Sequence, residues 1–188
     1  MLAQFGRVQA FEPDATAREL AAQKSGAEIL PGYLPDDLPA HFDNFDLIAA
    51  LDVLEHVEDD FASMRALSRR LRPGGHLFVT VPAYPSLWSR HDDLHHHKRR
   101  YRKARLREGL GAAGLTPRFV SFFNTLLFPA ILAKRLFDRV SGGGGDDDRM
   151  PSALVNETLH RLFAAEQHAL DRCALPFGLS LVAIAQRH

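Results

Sequence analysis

The chain has 188 residues, 46% of them hydrophobic, which is enough for one domain with a sizeable core. Its 23 Lys and Arg residues balance 23 Asp and Glu residues, so we predict no nucleic-acid partner. A single cysteine, Cys173, excludes an internal disulfide, and no basic-then-apolar signal opens the chain, so we expect a cytoplasmic protein. The longest apolar stretch, 126–133, is too short for a transmembrane segment.

The first pattern in the chain is an apolar run that ends on an acid. Residues 8–11 predict a strand, Glu12 follows at its tip, and Pro13-Asp14 opens a helical pattern. A carboxylate in this position can accept hydrogen bonds from a ribose diol in nucleotide-binding α/β folds. It can equally be an acid that the helix dipole favours.

A second short strand and a loop precede the central strand. Residues 28–30 predict the strand, and the glycine and prolines of 32–39 predict irregular backbone. The almost continuously apolar run at 45–51 predicts a strand buried on both faces. Asp52, Glu55 and His56 follow it directly, where they either meet a ligand or simply begin the next helix.

The rest of the chain continues the alternation of strands and helices. Further strands are predicted at 76–81, 117–123 and 177–185, and helices at 59–72, 103–113, 126–140 and 152–173. This order predicts an α/β protein with a Rossmann-like, mostly parallel sheet and helices on both faces. We expect a single domain over 1–188, with a helical insertion at 125–175 and a flexible linker at 141–151.

The densest cationic stretch is 90–107. Its histidines and aspartates are metal-ligand types, but their spacing matches no closed site such as HExxH, so we predict no metal. The basic residues at 98–100 could instead present charge to an anionic acceptor, such as a carboxylate or phosphate, or form a solvated helix start. Few aromatic residues are available for stacking on nucleic-acid bases.

The insertion carries an apolar face between Leu126 and Phe137. Such a face is typical of core or of a homodimer surface. It could also be a lid or a membrane-surface contact that receives a lipid-like substrate.

As a set, several segments resemble class I S-adenosylmethionine-dependent methyltransferases, in particular bacterial members with an FDLI...LDVLEH...LRPGG signature. The segments are VQAFEPD at 8–14, GYLPDDLP at 32–39, FDLIAALDVLEHVEDD at 45–60, LRPGGHLFVTVPA at 71–83 and HHHKRRY at 95–101. The resemblance covers roughly residues 5–125 and implies S-adenosylmethionine as the cofactor. It also implies an antiparallel last strand, with the helical insertion before it.

The resemblance implies a role for individual residues. The implied cofactor residues are Glu12 with Pro13 at the ribose, Asp36 or Asp37 near the adenine, and Leu51, Asp52 and Val53 around the methionine part. His56 would lie near the methyl group. Because imidazole titrates near neutrality, His56 or a histidine of the 91–97 cluster could act as the catalytic base for an oxygen acceptor. Trp88, His91, Arg100 and Tyr101 would shape the acceptor site. We therefore predict a methyltransferase that acts on a small or lipid-linked anionic acceptor; the alternative is a non-catalytic domain that binds a partner.

The resemblance further implies a glycine-rich first strand and turn, and none of the 13 glycines stands in a suitable GxGxG pattern. That strand would lie between the strands at Val8 and Phe45. We therefore expect these two strands to pair directly or with another chain, and cofactor affinity to be reduced. A longer native protein that is an active enzyme is an equal expectation.

Overall fold

We describe the protein from a computed structural model, for residues 4, 6–39, 41–133 and 153–188. The strands are β1 (Gln9–Phe11), β2 (Glu28–Leu30), β3 (Phe45–Leu51), β4 (Leu71–Pro82), β5 (Leu115–Phe123) and β6 (Ser180–Arg187). The α-helices are α1 (Ala15–Ser25), α2 (Asp60–Arg70), α3 (Arg90–Leu94), α4 (Lys103–Ala112), α5 (128–133) and α6 (Ala153–Leu170).

The strands form a four-stranded sheet in the order β3-β4-β6-β5 and a separate pair, β1-β2. β3 is parallel to β4, β1 is parallel to β2, and β6 is antiparallel to both of its neighbours. The predicted α/β, Rossmann-like fold with an antiparallel last strand is therefore confirmed. Direct pairing of β1 with β3 does not occur in the described structure. The outer edge of β3 instead carries Leu47 and Leu51, which are 53% and 49% exposed.

Aromatic contacts connect the β1-β2 pair to the main sheet. Phe42 packs edge-on against Phe11, with ring centroids 6.3 Å apart, and against Phe45, with centroids 5.8 Å apart. Arg70 also donates a hydrogen bond of 3.1 Å to the Leu38 carbonyl. Side-chain packing thus holds together two sheets that share no described strand pairing.

The core lies between the sheet and the helices α2 and α4. Alternate residues of β4, Leu77, Val79 and Val81, are completely buried, as expected for a strand in a sheet interior. A Cβ added at Gly109 of α4 would lie 2.8 Å from the sulfur of Met64 in α2. The two helices therefore pack closely because Gly109 has no side chain. The loop between β4 and α4 carries much of the candidate site.

Several predicted boundaries move in the structure. Asp59 caps α2 by accepting the Ala62 N–H at 2.8 Å. β4 begins at Leu71, earlier than predicted, because Leu71 pairs with Phe45 before an irregularity in the ladder. β6 begins only at Ser180. The predicted linker at 141–151 and most of the predicted helix at 126–140 lie outside the described residues. No described helix is long and apolar enough to cross a membrane.

Candidate active site

A cavity of about 430 Å³ lies at the carboxyl ends of β3, β4 and β5. Cavities of this size hold small molecules, and ligands in open α/β sheets bind at this end of the strands. The turn after β3 and the end of β4 contribute Asp52, Glu55, His56 and Pro82. The remaining lining residues are His91, His95, His97, Arg100, Asn124, Ile131, Leu179 and Ser180.

The turn after β3 is fixed to the neighbouring strand at its first residue. The Asp52 N–H donates to both the carbonyl and the hydroxyl of Thr80, each at 3.0 Å. Asp52 has a φ of 52°, which bends the chain sharply out of the strand direction. The next turn residues, Leu54 and Glu55, are buried, whereas the side chains of Asp52 and His56 are exposed.

Glu55 is a buried acid without full hydrogen bonding. Its side chain is 1% exposed, and its Oε2 atom has no hydrogen-bond partner. Burial, with a further contribution from Asp52, raises the pKa of Glu55 to about 8. Buried polar atoms are normally satisfied, so an unpaired carboxyl oxygen at the wall of a cavity indicates a place for a ligand.

His56 lies beside Glu55 and against a second imidazole. Burial and the neighbouring His97 lower the pKa of His56, while a hydrogen bond to the His95 carbonyl acts in the opposite direction. The rings of His56 and His97 are edge to face, with centroids 4.7 Å apart. The lowered pKa leaves His56 neutral at physiological pH and able to accept a proton.

Asp92 holds two side chains of the cavity lining, His97 and Arg100. It is completely buried and accepts hydrogen bonds from the Ser89 N–H at 2.8 Å, from Arg100 Nε at 2.7 Å and from His97 Nδ1 at 2.9 Å. Burial alone would raise the pKa of Asp92, but Arg100 and His97 hold it below its usual range. Arg100 also donates to the Ala83 carbonyl at 3.2 Å. The His97 and Arg100 side chains are therefore fixed by one carboxylate.

The structure brings together some of the predicted site residues. His56, the predicted catalytic residue, lines the cavity with Asp52, His91 and Arg100. Leu51 and Val53 flank Asp52 in the chain, and Val53 packs partly against the core.

Trp88 and Tyr101 do not line the cavity. Trp88 donates its indole N–H to Asp93 at 2.9 Å. Tyr101 is completely buried, and its hydroxyl donates to Asp60 at 2.9 Å and lies 3.1 Å from the Leu54 carbonyl oxygen. This placement favours a structural role for Tyr101, because a substrate would have to open the core to reach it, and its predicted role at the acceptor stays a prediction.

The predicted cofactor residues of the N-terminal half lie outside the cavity lining. Glu12 accepts the Asp14 N–H at 3.0 Å, and Asp37 accepts the Tyr33 N–H at 2.9 Å. Both carboxylates therefore stabilise local backbone. Pro13 and Asp36 are exposed. The roles of all four residues at the ribose and adenine stay predictions.

The basic residues at 98–100 are already paired with acids of the chain. Lys98 contacts Glu58 at 2.5 Å, Arg99 contacts Asp60 at 2.6 Å, and Arg100 contacts Asp92. Their charges are therefore matched internally. This removes the physical reason for expecting them to select an anionic acceptor.

Sequence reasoning gave no role to three polar residues of the cavity. Glu55 was recognised only as a residue after the central strand, because nothing local shows that it is buried. Asn124 follows β5 as Asp52 follows β3, so the same strand-end rule could have identified it. Its amide lies 3.5 Å from the hydroxyl of Ser180, at the start of β6.

Comparisons with known proteins agree with this architecture. A family model described as a methyltransferase domain matches residues 3–126. The ubiquinone biosynthesis O-methyltransferase of Marinobacter nauticus is 43% identical over 43 residues, which are 23% of this chain and only 18% of that enzyme.

Solved structures are similar over almost the whole chain. A protein of Bacillus halodurans assigned to the methyltransferases has a TM-score of 0.63 at 15% identity, over 99% of this chain and 85% of its own. An S-adenosylmethionine-dependent methyltransferase of Thermotoga maritima has a TM-score of 0.60 at 16% identity, over 100% and 75%. The N-methyltransferase NodS of Bradyrhizobium japonicum, solved with S-adenosyl-l-homocysteine, has a TM-score of 0.53 at 14% identity, over 96% and 66%.

The sheet with its antiparallel last strand, and the cavity at the strand ends, define the class I S-adenosylmethionine-dependent methyltransferase fold. The family match covers more than half of the chain. The chain therefore belongs to the methyltransferase-domain family, whose cofactor is S-adenosylmethionine.

Proposed function

We propose that this chain transfers a methyl group from S-adenosylmethionine to a small or lipid-linked acceptor bound in the cavity. The observation that carries the proposal is the position of Asp52 and His56 on the wall of a cavity at the carboxyl ends of β3 and β4. This is the end of an α/β sheet where ligands bind.

The cavity fits the charged part of the cofactor. The sulfonium and ammonium groups of S-adenosylmethionine are cationic, and Asp52 offers an exposed carboxylate at the end of β3. We assign Asp52, with the adjoining Leu51 and Val53, to the methionine part, and Glu12 with Pro13 to the ribose. When bound, the cofactor supplies an activated methyl group. Because Glu12 is outside the cavity lining, we expect weak cofactor binding.

His56 is the residue we assign to the acceptor proton. Methyl transfer depends mostly on positioning the acceptor atom in line with the sulfonium, and an acceptor hydroxyl or amine must also lose a proton. The imidazole of His56 lines the cavity and is neutral at physiological pH because its pKa is lowered. It can therefore accept that proton.

The cavity walls favour an acceptor with a hydroxyl or amine beside an apolar part. Asn124 and Ser180 offer neutral hydrogen-bonding groups, while Ile131 and Leu179 offer apolar contacts. Ile131 belongs to α5, at the start of the predicted insertion, which suits a lipid-linked acceptor. The basic residues at 98–100 are paired with acids, so an anionic acceptor stays a prediction that their charges do not support.

Isothermal titration with S-adenosylmethionine and S-adenosylhomocysteine tests the proposal. We expect saturable binding that Asp52→Ala weakens about tenfold or more, because a charged contact is worth roughly 1.5 to 3 kcal/mol. Asp46→Ala is the matched control, since Asp46 lies near the other end of β3 and is exposed. A folded protein that binds neither ligand, or an Asp52→Ala variant with unchanged affinity, would overturn the assignment.

Methyl transfer itself is measured with labelled cofactor and a panel of hydroxyl and amine acceptors. We expect His56→Ala to lower the rate constant for transfer, about 100-fold for a general base. An unchanged rate would remove His56 from the mechanism.

A further inference from the structure

Two segments that are distant in sequence bring three metal-ligand side chains together. Glu55 and His56 come from the turn after β3, and His97 comes from the loop after α3. One ligand atom of each residue lies within 4.8 Å of the others. Ligands around a tetrahedral Zn²⁺ ion, bonded at about 2.0 to 2.2 Å, lie about 3.4 Å apart, so modest side-chain rotations would close the group.

The Glu55 carboxyl group supplies the strongest reason for a cation. Its Oε2 atom is buried and has no hydrogen-bond partner. Two further acids, Asp52 and Asp92, lie near it, and the neighbouring Arg100 already forms an ion pair with Asp92. A metal ion bound to Oε2 would satisfy the buried atom and neutralise part of this negative charge.

The two imidazoles are already oriented by their outer hydrogen bonds. His97 Nδ1 lies 2.9 Å from the buried Asp92 carboxylate, which leaves its Nε2 atom for a metal. His56 is bonded to the His95 carbonyl through one ring nitrogen, which leaves the other. A histidine that bonds a carboxylate or carbonyl on one nitrogen and a metal on the other is the usual arrangement in metalloproteins.

We propose that Glu55, His56 and His97 form a binding site for a divalent first-row transition-metal ion of the Zn²⁺ type. Two imidazoles and one carboxylate suit Zn²⁺ or Fe²⁺, whereas Mg²⁺ prefers oxygen ligands. With three protein ligands, a tetrahedral ion would keep a fourth position for water or an acceptor oxygen. The proposal differs from the absence of metal predicted from sequence, because the ligands come from two segments that are distant in the chain.

Metal binding and proton transfer use the same imidazole of His56. In the metal-bound protein His56 is a ligand, so its role as a base belongs to the metal-free protein. A hydroxyl bound to the ion would lose its proton more readily, because a divalent cation lowers the pKa of an oxygen that it coordinates. The metal site itself does not depend on methyl transfer.

Calorimetric titration of the chelator-treated, full 188-residue chain with ZnCl₂, without S-adenosylmethionine, tests the site. We expect a single equivalent of Zn²⁺ to bind, and no saturable binding of MgCl₂. Glu55→Gln keeps the shape of the side chain and removes a charged ligand, so it should weaken Zn²⁺ binding at least tenfold. Asp92→Asn removes no metal ligand but weakens the contacts that position His97 and Arg100, so it should weaken Zn²⁺ binding about 10- to 100-fold.

The matched control is His96→Asn, which removes an exposed imidazole beside His97. Asparagine suits this position because His96 has a φ of 55°. We expect unchanged Zn²⁺ affinity. Substitution with Co²⁺ should also give the visible absorption of a tetrahedral site in the wild type and lose it in Glu55→Gln.

Absence of saturable Zn²⁺ binding, or equal affinity of wild type, Glu55→Gln and His96→Asn, would overturn the proposal. Thermal unfolding of each metal-free variant shows whether it is folded. If Asp92→Asn does not fold, the comparison of Glu55→Gln with wild type decides the question. Failure of the cofactor titration leaves this result intact, because zinc is measured without the cofactor.

Discussion

Glu55, in the middle of the turn that joins β3 to α2, and Asp60, the first residue of α2, are two buried carboxylates with opposite surroundings. Asp60, 2% exposed, contacts Arg99 at 2.6 Å and Arg105 at 2.9 Å and accepts the Tyr101 hydroxyl. Glu55, 1% exposed, has an oxygen with no partner. Both carboxylates are equally buried. Asp60 has cationic and hydrogen-bonding partners and is therefore a structural residue, whereas the unpartnered oxygen of Glu55 makes it a candidate metal ligand.

The contacts of Asp60 also explain the role of the basic and aromatic residues around it. Arg99 further donates to the carbonyls of Val57 and Glu58, each at 2.7 Å, so it ties the loop before α4 to the turn before α2. Burial, and then the neighbouring Asp60, raise the pKa of Tyr101. The basic and aromatic residues that suggest a substrate site in the sequence therefore hold the walls of the cavity in place.

Replacing Asp60 should cause the largest loss of stability. Asp60→Asn leaves two arginines and a buried tyrosine without their anion, and breaking a buried pair typically costs about 3 to 5 kcal/mol. Arg105 is partly exposed, so we expect roughly 2 to 4 kcal/mol in urea unfolding. The control is Asp46→Asn, which breaks an exposed pair with Arg72 and should change stability by less than about 0.5 kcal/mol. Equal effects of the two variants would contradict a structural role for Asp60.

Replacing Glu55 should instead increase the stability of the metal-free protein. The pKa of Glu55 is about 8 when folded and is ordinarily 4.5, so ionising it disfavours folding. The wild type therefore loses stability as pH rises from about 4.5 to about 8, whereas Glu55→Gln does not titrate. We expect the variant to gain roughly 2 to 3 kcal/mol relative to wild type across this window.

Urea unfolding at pH 5 and at pH 8.5, with chelator present, measures this gap. Asp52, Asp92, Arg100, His56 and His97 surround the carboxyl group, and the comparison with Glu55→Gln cancels their own titrations to first order. If the difference in free energy of unfolding between Glu55→Gln and wild type stays constant or shrinks as pH rises, ionisation of Glu55 does not destabilise the folded protein.

Replacing Tyr101 should cause a smaller loss of stability. The same variant distinguishes a structural role of Tyr101 from a role in substrate binding. Tyr101→Phe removes the hydroxyl that bonds Asp60 and lies near the Leu54 carbonyl, which should cost about 1 to 2 kcal/mol. The m-value should stay unchanged, because the core is not opened. If instead stability were unchanged and KM for an acceptor rose, Tyr101 would be a substrate residue as the sequence suggests.

Much of the fold could be predicted because its signals are local. The run at 45–51 becomes β3, and Asp59 caps α2 where the pattern placed the start of a helix. The predicted Asp52 and His56 reach the cavity because both follow a strand whose direction the fold determines. The burial of Tyr101 could not be predicted, because its partner, Asp60, is distant in the chain and no local pattern shows that contact.

The sequence by itself determined the order of strands and helices and the strand ends that carry polar residues, because hydrophobic periodicity and capping act between near neighbours. Only the tertiary structure decided that β1 and β2 pair apart from β3, that His97 lies against His56, and that one buried acid is paired while the other is not. These outcomes depend on contacts between distant segments and on burial, which a linear pattern does not contain.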